Sequence, residues 1–102
     1  MKIEKKGSIL SVSDFTELNG INASSFRDEV KASVAADLKE IDIDFSQTRN
    51  VDTSGLGALF AIYKIANDGR DAVTLRLINP RPSIQQLFEI TQLHQLFEIC
   101  RR

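Results

Sequence analysis

An alternating run and a helical run meet at one short junction, and that junction restricts the architecture more than any other feature of the chain. Ile41-Asp42-Ile43-Asp44-Phe45 alternates apolar and acidic residues, the period of a half-buried strand. Further on, Leu56, Leu59, Phe60, Tyr63 and Ala66 recur at three- and four-residue steps, which places them on one helical face. Between the two stands Val51-Asp52-Thr53-Ser54-Gly55-Leu56-Gly57. A hydroxyl at Thr53 or Ser54 suits the N-cap, because it accepts one of the backbone N–H groups that a helix start leaves unpaired. The helix is predicted to run to about Asn67 and to stop at Gly69, a left-handed cap residue. Val73-Thr74-Leu75-Arg76-Leu77-Ile78, ended by Asn79-Pro80-Arg81-Pro82, reads as the next strand. Strand, helix and strand then form a parallel βαβ unit with a right-handed crossover.

The flanks fit around that unit. Ile3 among Lys2, Glu4, Lys5 and Lys6 reads as a charged edge strand, and Gly7-Ser8 turns it into an antiparallel run, Ile9 to Phe15. Glu17-Leu18-Asn19-Gly20-Ile21-Asn22 is a turn-rich connector, with Asn22 or Ser24 placed to cap a helix from about Ala23 to Asp37. Phe26, Val30 and Val34 form the buried stripe of that helix, and Ser46 to Val51 is a loop. In the tail, Gln86-Leu87-Phe88-Glu89-Ile90 is echoed by Gln95-Leu96-Phe97-Glu98-Ile99. The offset leaves the two sets half a turn out of phase on one straight helix. A helix from Ser83 to about Ile90 should therefore break near Thr91 to Leu93, so that Leu96, Phe97 and Ile99 tuck against the domain edge.

A length of 102 residues predicts one domain spanning the chain, with a single core. The formal charge of −1, with both signs interspersed, argues against direct nucleic-acid binding. One cysteine, Cys100, cannot form an internal disulfide or a cysteine-based metal set, so a reducing, cytoplasmic setting is expected. No apolar run approaches the ~18 residues of a membrane span, and membrane insertion is not expected. No cofactor is expected either. The run at the junction lacks the Gly-Lys-Ser/Thr ending of a phosphate-binding Walker loop. Asp42, Asp44 and Asp52 are the conceivable metal ligands, but Asp42 and Asp44 share a strand face that is more simply solvated.

Ser54 has two readings on chemistry alone. It is either a structural helix cap or a phosphoacceptor whose product would meet free N–H groups and the positive end of a helix dipole. Asp52 would oppose such a phosphate by like-charge repulsion. A serine nucleophile is disfavoured, since Asp52 stands where a Gly-x-Ser-x-Gly elbow needs glycine and His94, the only histidine, lies in the tail. The second helix also carries more apolar surface than one face needs, at Ile62, Tyr63 and Ile65, which serves either as core or as a partner surface beside Ser54. Arg101-Arg102 reads as a solvated end.

The order of elements, the Asp52-Thr53-Ser54-Gly55-Leu56-Gly57 run before a helix, and the Leu77-Ile78-Asn79-Pro80 strand end followed by Ile84, Leu87, Leu93, Leu96 and Phe97 resemble the STAS domain. The resemblance runs from Gly7 to Ile99, and within the family the chain is similar to stand-alone anti-sigma factor antagonists. It implies an α/β fold: a small mixed sheet, made of an N-terminal antiparallel pair and a parallel core, with helices mainly on one side. It also implies a non-catalytic, phosphorylation-controlled binding module that acts by partner switching in bacterial stress responses. In such a cycle the unphosphorylated protein binds an anti-sigma factor that is also a GHKL-type serine kinase, and a sigma factor is released. Phosphorylation at the position of Ser54 ends the contact, and a PP2C-type phosphatase restores it. Asp52, Thr53, Gly55 and Leu56, with Asn22 and Ser24 at the first helix start, are the implied partner-binding residues, and a weak homodimer is compatible with the pattern. Asn19 stands where the family often has aspartate, and Thr53 where a second serine is common. Within the same fold a constitutive interaction subunit, of a stressosome-like or lipid-transport complex, is the alternative. A small serine hydrolase built on Ser54 is the third.

Overall fold

The computed structural model describes residues 1–68 and 73–102. Five strands form the main sheet: β1 (Lys2–Lys6), β2 (Ile9–Ser13), β4 (Glu40–Asp44), β6 (Thr74–Ile78) and β7 (Glu98–Cys100), in the spatial order β1-β2-β4-β6-β7. A second, two-stranded sheet joins β3 (Glu17–Leu18) to β5 (Asn50–Val51). The helices are α1 (Ala23–Ala32), α2 (Thr53–Ala66) and α3 (Pro82–Ile90). β1 and β2 pair antiparallel, with Lys6 opposite Ile9 across the Gly7-Ser8 turn, and Gly7 supplies its positive φ of 60°. All other neighbours in the main sheet are parallel, so each of α1, α2 and α3 lies in a crossover between adjacent strands.

Register sorts the residues onto two faces. Leu10, Val12, Ile41, Ile43, Leu75 and Leu77 point to one side and are buried under the helices with Phe26, Val30, Leu59, Ile62, Ile84 and Phe88. Helices on one side of a mixed sheet are what the sequence predicted. Four phenylalanines bind the layers at the carboxyl ends of β2 and β4. Phe26 meets Phe15 at 5.0 Å, Phe15 meets Phe45 at 5.3 Å and Phe45 meets Phe88 at 5.3 Å, each pair edge to face. That geometry aligns the positive ring edge with the negative ring face, and each such pair contributes about 0.5–1.5 kcal/mol beyond area burial.

The other face of the sheet is charged. Arg76 bridges Glu40 on β4 and Glu98 on β7, at 2.9 Å to each. The solvated reading of Asp42 is corrected here: Asp42 is only 7% exposed, with Arg102 at 3.5 Å from Oδ2. Its Oδ1 has no hydrogen-bond partner among the described residues. Glu40 neighbours it on the same strand face, and its pKa is raised above the ordinary carboxyl value, first by a hydrogen bond with Asp42 and then by burial and like charge. When Glu40 is protonated it can donate to the buried Asp42 carboxylate, which lowers the cost of placing two acids side by side. Asp44 stays partly exposed and accepts hydrogen bonds from the Ser46 amide and hydroxyl.

Other boundaries also move. α1 ends at Ala32 rather than near Asp37. The Ser33 hydroxyl bonds back to the Glu29 carbonyl at 3.0 Å, and the Ser33 and Val34 amides close the helix onto Val30 and Lys31. The expected cap at Gly69 lies outside the described residues. In the tail, α3 stops at Ile90 and Gln92 takes a left-handed φ of 65° before a short 3-10 turn, Leu93–Gln95. The predicted break is therefore present, and Phe97 is buried as foreseen. The segment after it does more than tuck in, because β7 adds a strand beside β6 with Leu77 opposite Ile99. Arg101 and Arg102 are not simply solvated either. The Arg101 guanidinium donates to the Pro80 carbonyl and to Gln85, and the Arg102 amide donates to Asn79 Oδ1 at 2.7 Å.

Candidate functional site at the start of the second helix

The site is assembled from two connectors that the small sheet holds side by side. Glu17 pairs with Asn50 and Leu18 with Val51, because both segments offer one apolar residue to the core, Leu18 and Val51. The Arg49 amide donates to the Thr16 carbonyl at 2.8 Å. The Thr48 hydroxyl, fully buried, donates to the Phe15 carbonyl at 2.8 Å. This ladder corrects the readings of residues 17–22 as a turn-rich connector and of residues 46–51 as a loop: the first begins, and the second ends, in a short strand. A two-residue strand has no periodicity to display, and the one signal for the pairing was an apolar residue, Leu18 or Val51, within each polar stretch.

The cap of α2 is Asp52, not Thr53 or Ser54. Its Oδ1 accepts the Gly55 amide at 3.0 Å and its Oδ2 accepts the Gly20 amide at 3.1 Å. One carboxylate therefore fastens the helix start to the loop after β3 and places negative charge at the positive end of the helix dipole. Thr53 and Ser54 occupy the first two helical positions, both exposed. The Ser54 hydroxyl has no hydrogen-bond partner among the described residues. Gly55 explains how closely the two segments approach, since a Cβ there would lie 2.2 Å from the Leu18 carbonyl oxygen. Leu56 is buried behind it, so it anchors the helix start and offers little surface to a partner.

The caps assigned to the first helix are also corrected. Asn22 holds the N-cap position, but its side chain turns back: Oδ1 accepts the Asn19 amide at 2.8 Å, and Nδ2 donates to the Glu17 carbonyl at 2.7 Å. Ser24 is an exposed residue of the first turn of α1 and caps nothing. Asn19 uses both ends of its amide, accepting from Ile21 N at 3.0 Å and donating to Glu17 Oε2 at 3.2 Å. An aspartate there could make only the first of these bonds. The loop 19–22 is thus cross-tied, and it sits against Ser54: a methyl group placed on Gly20 would lie 3.6 Å from Ser54 Oγ. Sequence reasoning missed Gly20 and Ile21, although an isolated isoleucine inside Asn-Gly-Ile-Asn was a visible signal.

The apolar excess on α2 divides. Ile62 is buried and Tyr63 is half-buried, its ring 6.1 Å from Phe97. Phe60, counted on the core face from its spacing, instead turns outward at 46% exposure with Lys64 over its ring at 5.5 Å. His94 lines a groove with Arg76, Gln85, Glu89 and Glu98 on the β7 side. No base is hydrogen-bonded to Ser54 among the described residues, and Asp52 is occupied by two amides. Among the described residues no group of three or more acidic, histidine or cysteine side chains is placed to hold a metal ion. No helix there is long and apolar enough to cross a membrane.

The fold and the exposed serine in the first turn of α2 define a mixed-sheet α/β domain that presents a helix start at the carboxyl end of its parallel strands. The family model of the STAS domain matches residues 1–102, and the chain belongs to that family. No curated protein sequence matches it. Among solved structures it is similar to the anti-sigma factor antagonist SpoIIAA in its unphosphorylated form. There the TM-score is 0.71 at 19% identity, over 87% of this chain and 81% of that one. The phosphorylated form of SpoIIAA, a Bacillus cell fate determinant, gives 0.70 at 19% identity, over 96% of this chain and 88% of that one. An anti-sigma factor antagonist from Mycobacterium paratuberculosis gives 0.81 at 21% identity, over 97% of this chain and 82% of that one.

Proposed function

We propose that this chain is an anti-sigma factor antagonist whose binding is switched by phosphorylation at Ser54. The observation that carries the reading is the uncommitted, exposed Ser54 hydroxyl in the first turn of α2, beside a cap already supplied by Asp52. Ser54 is free of the capping work that would explain a hydroxyl there. In the unphosphorylated state the surface formed by Asp52, Thr53 and Ser54 and by the loop at Asn22 binds an anti-sigma factor that is also a GHKL-type serine kinase, and the sigma factor is released. Ser54 Oγ then attacks the γ-phosphorus of kinase-bound ATP. The Oγ–P bond forms as the bond to the leaving ADP oxygen breaks, and the hydroxyl proton passes to a base on the kinase. A PP2C-type phosphatase reverses the change by hydrolysis. The chain supplies an acceptor and a surface and no catalytic group of its own.

The switch is electrostatic in origin. A phosphate adds roughly −1.5 to −2 charges next to the Asp52 carboxylate. A coupling of about 3 kcal/mol, or ~150-fold in affinity, is within reach of such a change. Protein recovered from its own cells tests the reading by intact-mass spectrometry with site mapping, before and after phosphatase treatment. The expected result is one phosphoryl group on Ser54. A Ser54 that stays unmodified across growth conditions, with Ser54→Asp binding the cognate kinase as well as the native chain does, would sink it in favour of a constitutive interaction subunit.

A further inference from the structure

We infer that Ile21 is the apolar anchor by which the kinase partner grips the Ser54 surface, and that the partner meets it with an uncharged, apolar pocket. This rests on the reading of Ser54 as phosphoacceptor. Among the described residues Ile21 is the most exposed large hydrophobic side chain, at 92%. The others above one-third exposure are less bare, and Phe60 already carries Lys64 across its ring.

An isoleucine thrust into water from a floppy turn would mean little. Here the turn is held from every side. The Gly20 amide is bound by Asp52 at 3.1 Å, the Ile21 amide by Asn19 Oδ1 at 3.0 Å, and the Ala23 amide by the Asn19 carbonyl at 2.8 Å. Asn22 ties the loop back to Glu17 and Asn19. The side chain is therefore presented at a fixed place with its backbone entropy already lost, which is the condition under which burial in a partner converts most fully into affinity.

The loop that carries it adjoins the reacting atom. The position of a Gly20 Cβ is 3.6 Å from Ser54 Oγ, and Ile21 is the next residue. A kinase must bring the γ-phosphorus to about 3–3.5 Å from Oγ before transfer. Its surface then covers Ile21, and an apolar side chain left against polar or charged groups would forfeit the contact. The same carboxylate, Asp52, orients both the acceptor helix and the anchor loop, so acceptor and anchor are fixed relative to each other. Because Ile21 is uncharged, its contribution is insensitive to salt, whereas that of Asp52 and of the phosphate is screened.

The test measures initial rates of Ser54 phosphorylation by an extract of the source cells supplied with ATP, over a range of substrate concentrations, with S54A as the blank. Ile21→Ser should raise the half-saturating concentration about tenfold or more, with the maximal rate and the melting temperature retained, at low and at moderate salt alike. Ile21→Leu should restore the native value to within about threefold. An unchanged half-saturating concentration for I21S, or a loss confined to the maximal rate, overturns the anchor and leaves Ser54 phosphorylation standing. If the native chain is not phosphorylated at Ser54 by the extract, the proposed function fails and the anchor falls with it.

Discussion

Two glycines in the first turns of α2 should respond to alanine in opposite directions. Alanine in place of glycine in a helix interior gains up to about 1 kcal/mol from propensity alone. At Gly57 nothing lies within 4 Å of the added methyl, so Gly57→Ala should stabilise the protein by about 0.5–1 kcal/mol. At Gly55 the methyl would lie 2.2 Å from the Leu18 oxygen and 2.9 Å from Leu18 C and Cγ. Ordinary carbon–oxygen contacts begin near 3.3 Å, so β3 or the helix start must retreat by roughly 1 Å. The atom in the way is backbone, and it also accepts the Asp52 amide at 3.2 Å. Overpacking costs about 1–3 kcal/mol and loss of that hydrogen bond about 1 kcal/mol more. Set against the propensity gain, G55A should lose ~1–3 kcal/mol. Urea unfolding of both variants at one pH measures this directly, read as the shift in midpoint at constant slope. A Gly55→Ala variant as stable as the native chain would refute the packing argument, as would a G57A variant destabilised to the same extent.

Asp52→Ala removes the cap of α2 and the partner of the Gly20 amide together, so it should cost about 1–2 kcal/mol in chemical denaturation and raise amide exchange at Gly20 and Gly55. Thr48→Val keeps the shape but leaves the buried Phe15 carbonyl without its donor, and a loss of about 1–3 kcal/mol in the urea midpoint is expected. Glu40 sets a pH dependence. Its folded-state pKa is raised above its ordinary 4.5, so the folded state binds the proton more tightly than the unfolded chain does. The stabilisation is complete below about 4.5 and is lost as pH rises through the folded-state value, with Arg76 opposing the trend. Urea midpoints of the native chain should therefore decline across that window relative to those of Glu40→Gln, and parallel profiles would remove the shared-proton account.

The long periodic elements were legible from spacing. β4 and β6 alternated, α2 repeated at helical steps, and the nine-residue echo of the tail could not lie on one straight helix. What escaped was set by contacts distant in sequence. Asp42 was read as solvated because an acidic residue on an alternating strand usually is, and its burial depends on Glu40, Arg76 and the returning Arg102. Phe60 looked like core from its spacing, yet the inward-facing arc is filled by Leu56, Leu59, Ile62 and Ala66. The helix-start hydroxyls at Thr53 and Ser54 were credited with a cap that Asp52 makes, since carboxylate and hydroxyl compete for the same amides and only the backbone angles at residue 52 decide between them. The junction at the start of α2 was legible because strand period, helix period and glycine content all changed at one point.

The pairing of β3 with β5 also carries a kinetic consequence. It joins residues 17–18 to residues 50–51 through a ladder only two residues long, so its closure costs the entropy of a loop of some thirty residues and returns few bonds. Such a contact is expected to form after the β1–β2 hairpin and to open well before the sheet at β4 and β6 does. Amides of the ladder and of the Gly20 loop should then exchange by local opening, whereas those of Ile41 and Leu77 exchange only with global unfolding. A partner seated on this surface would be recorded as slowed exchange confined to the ladder and its loop, a footprint readable without any change in the average structure.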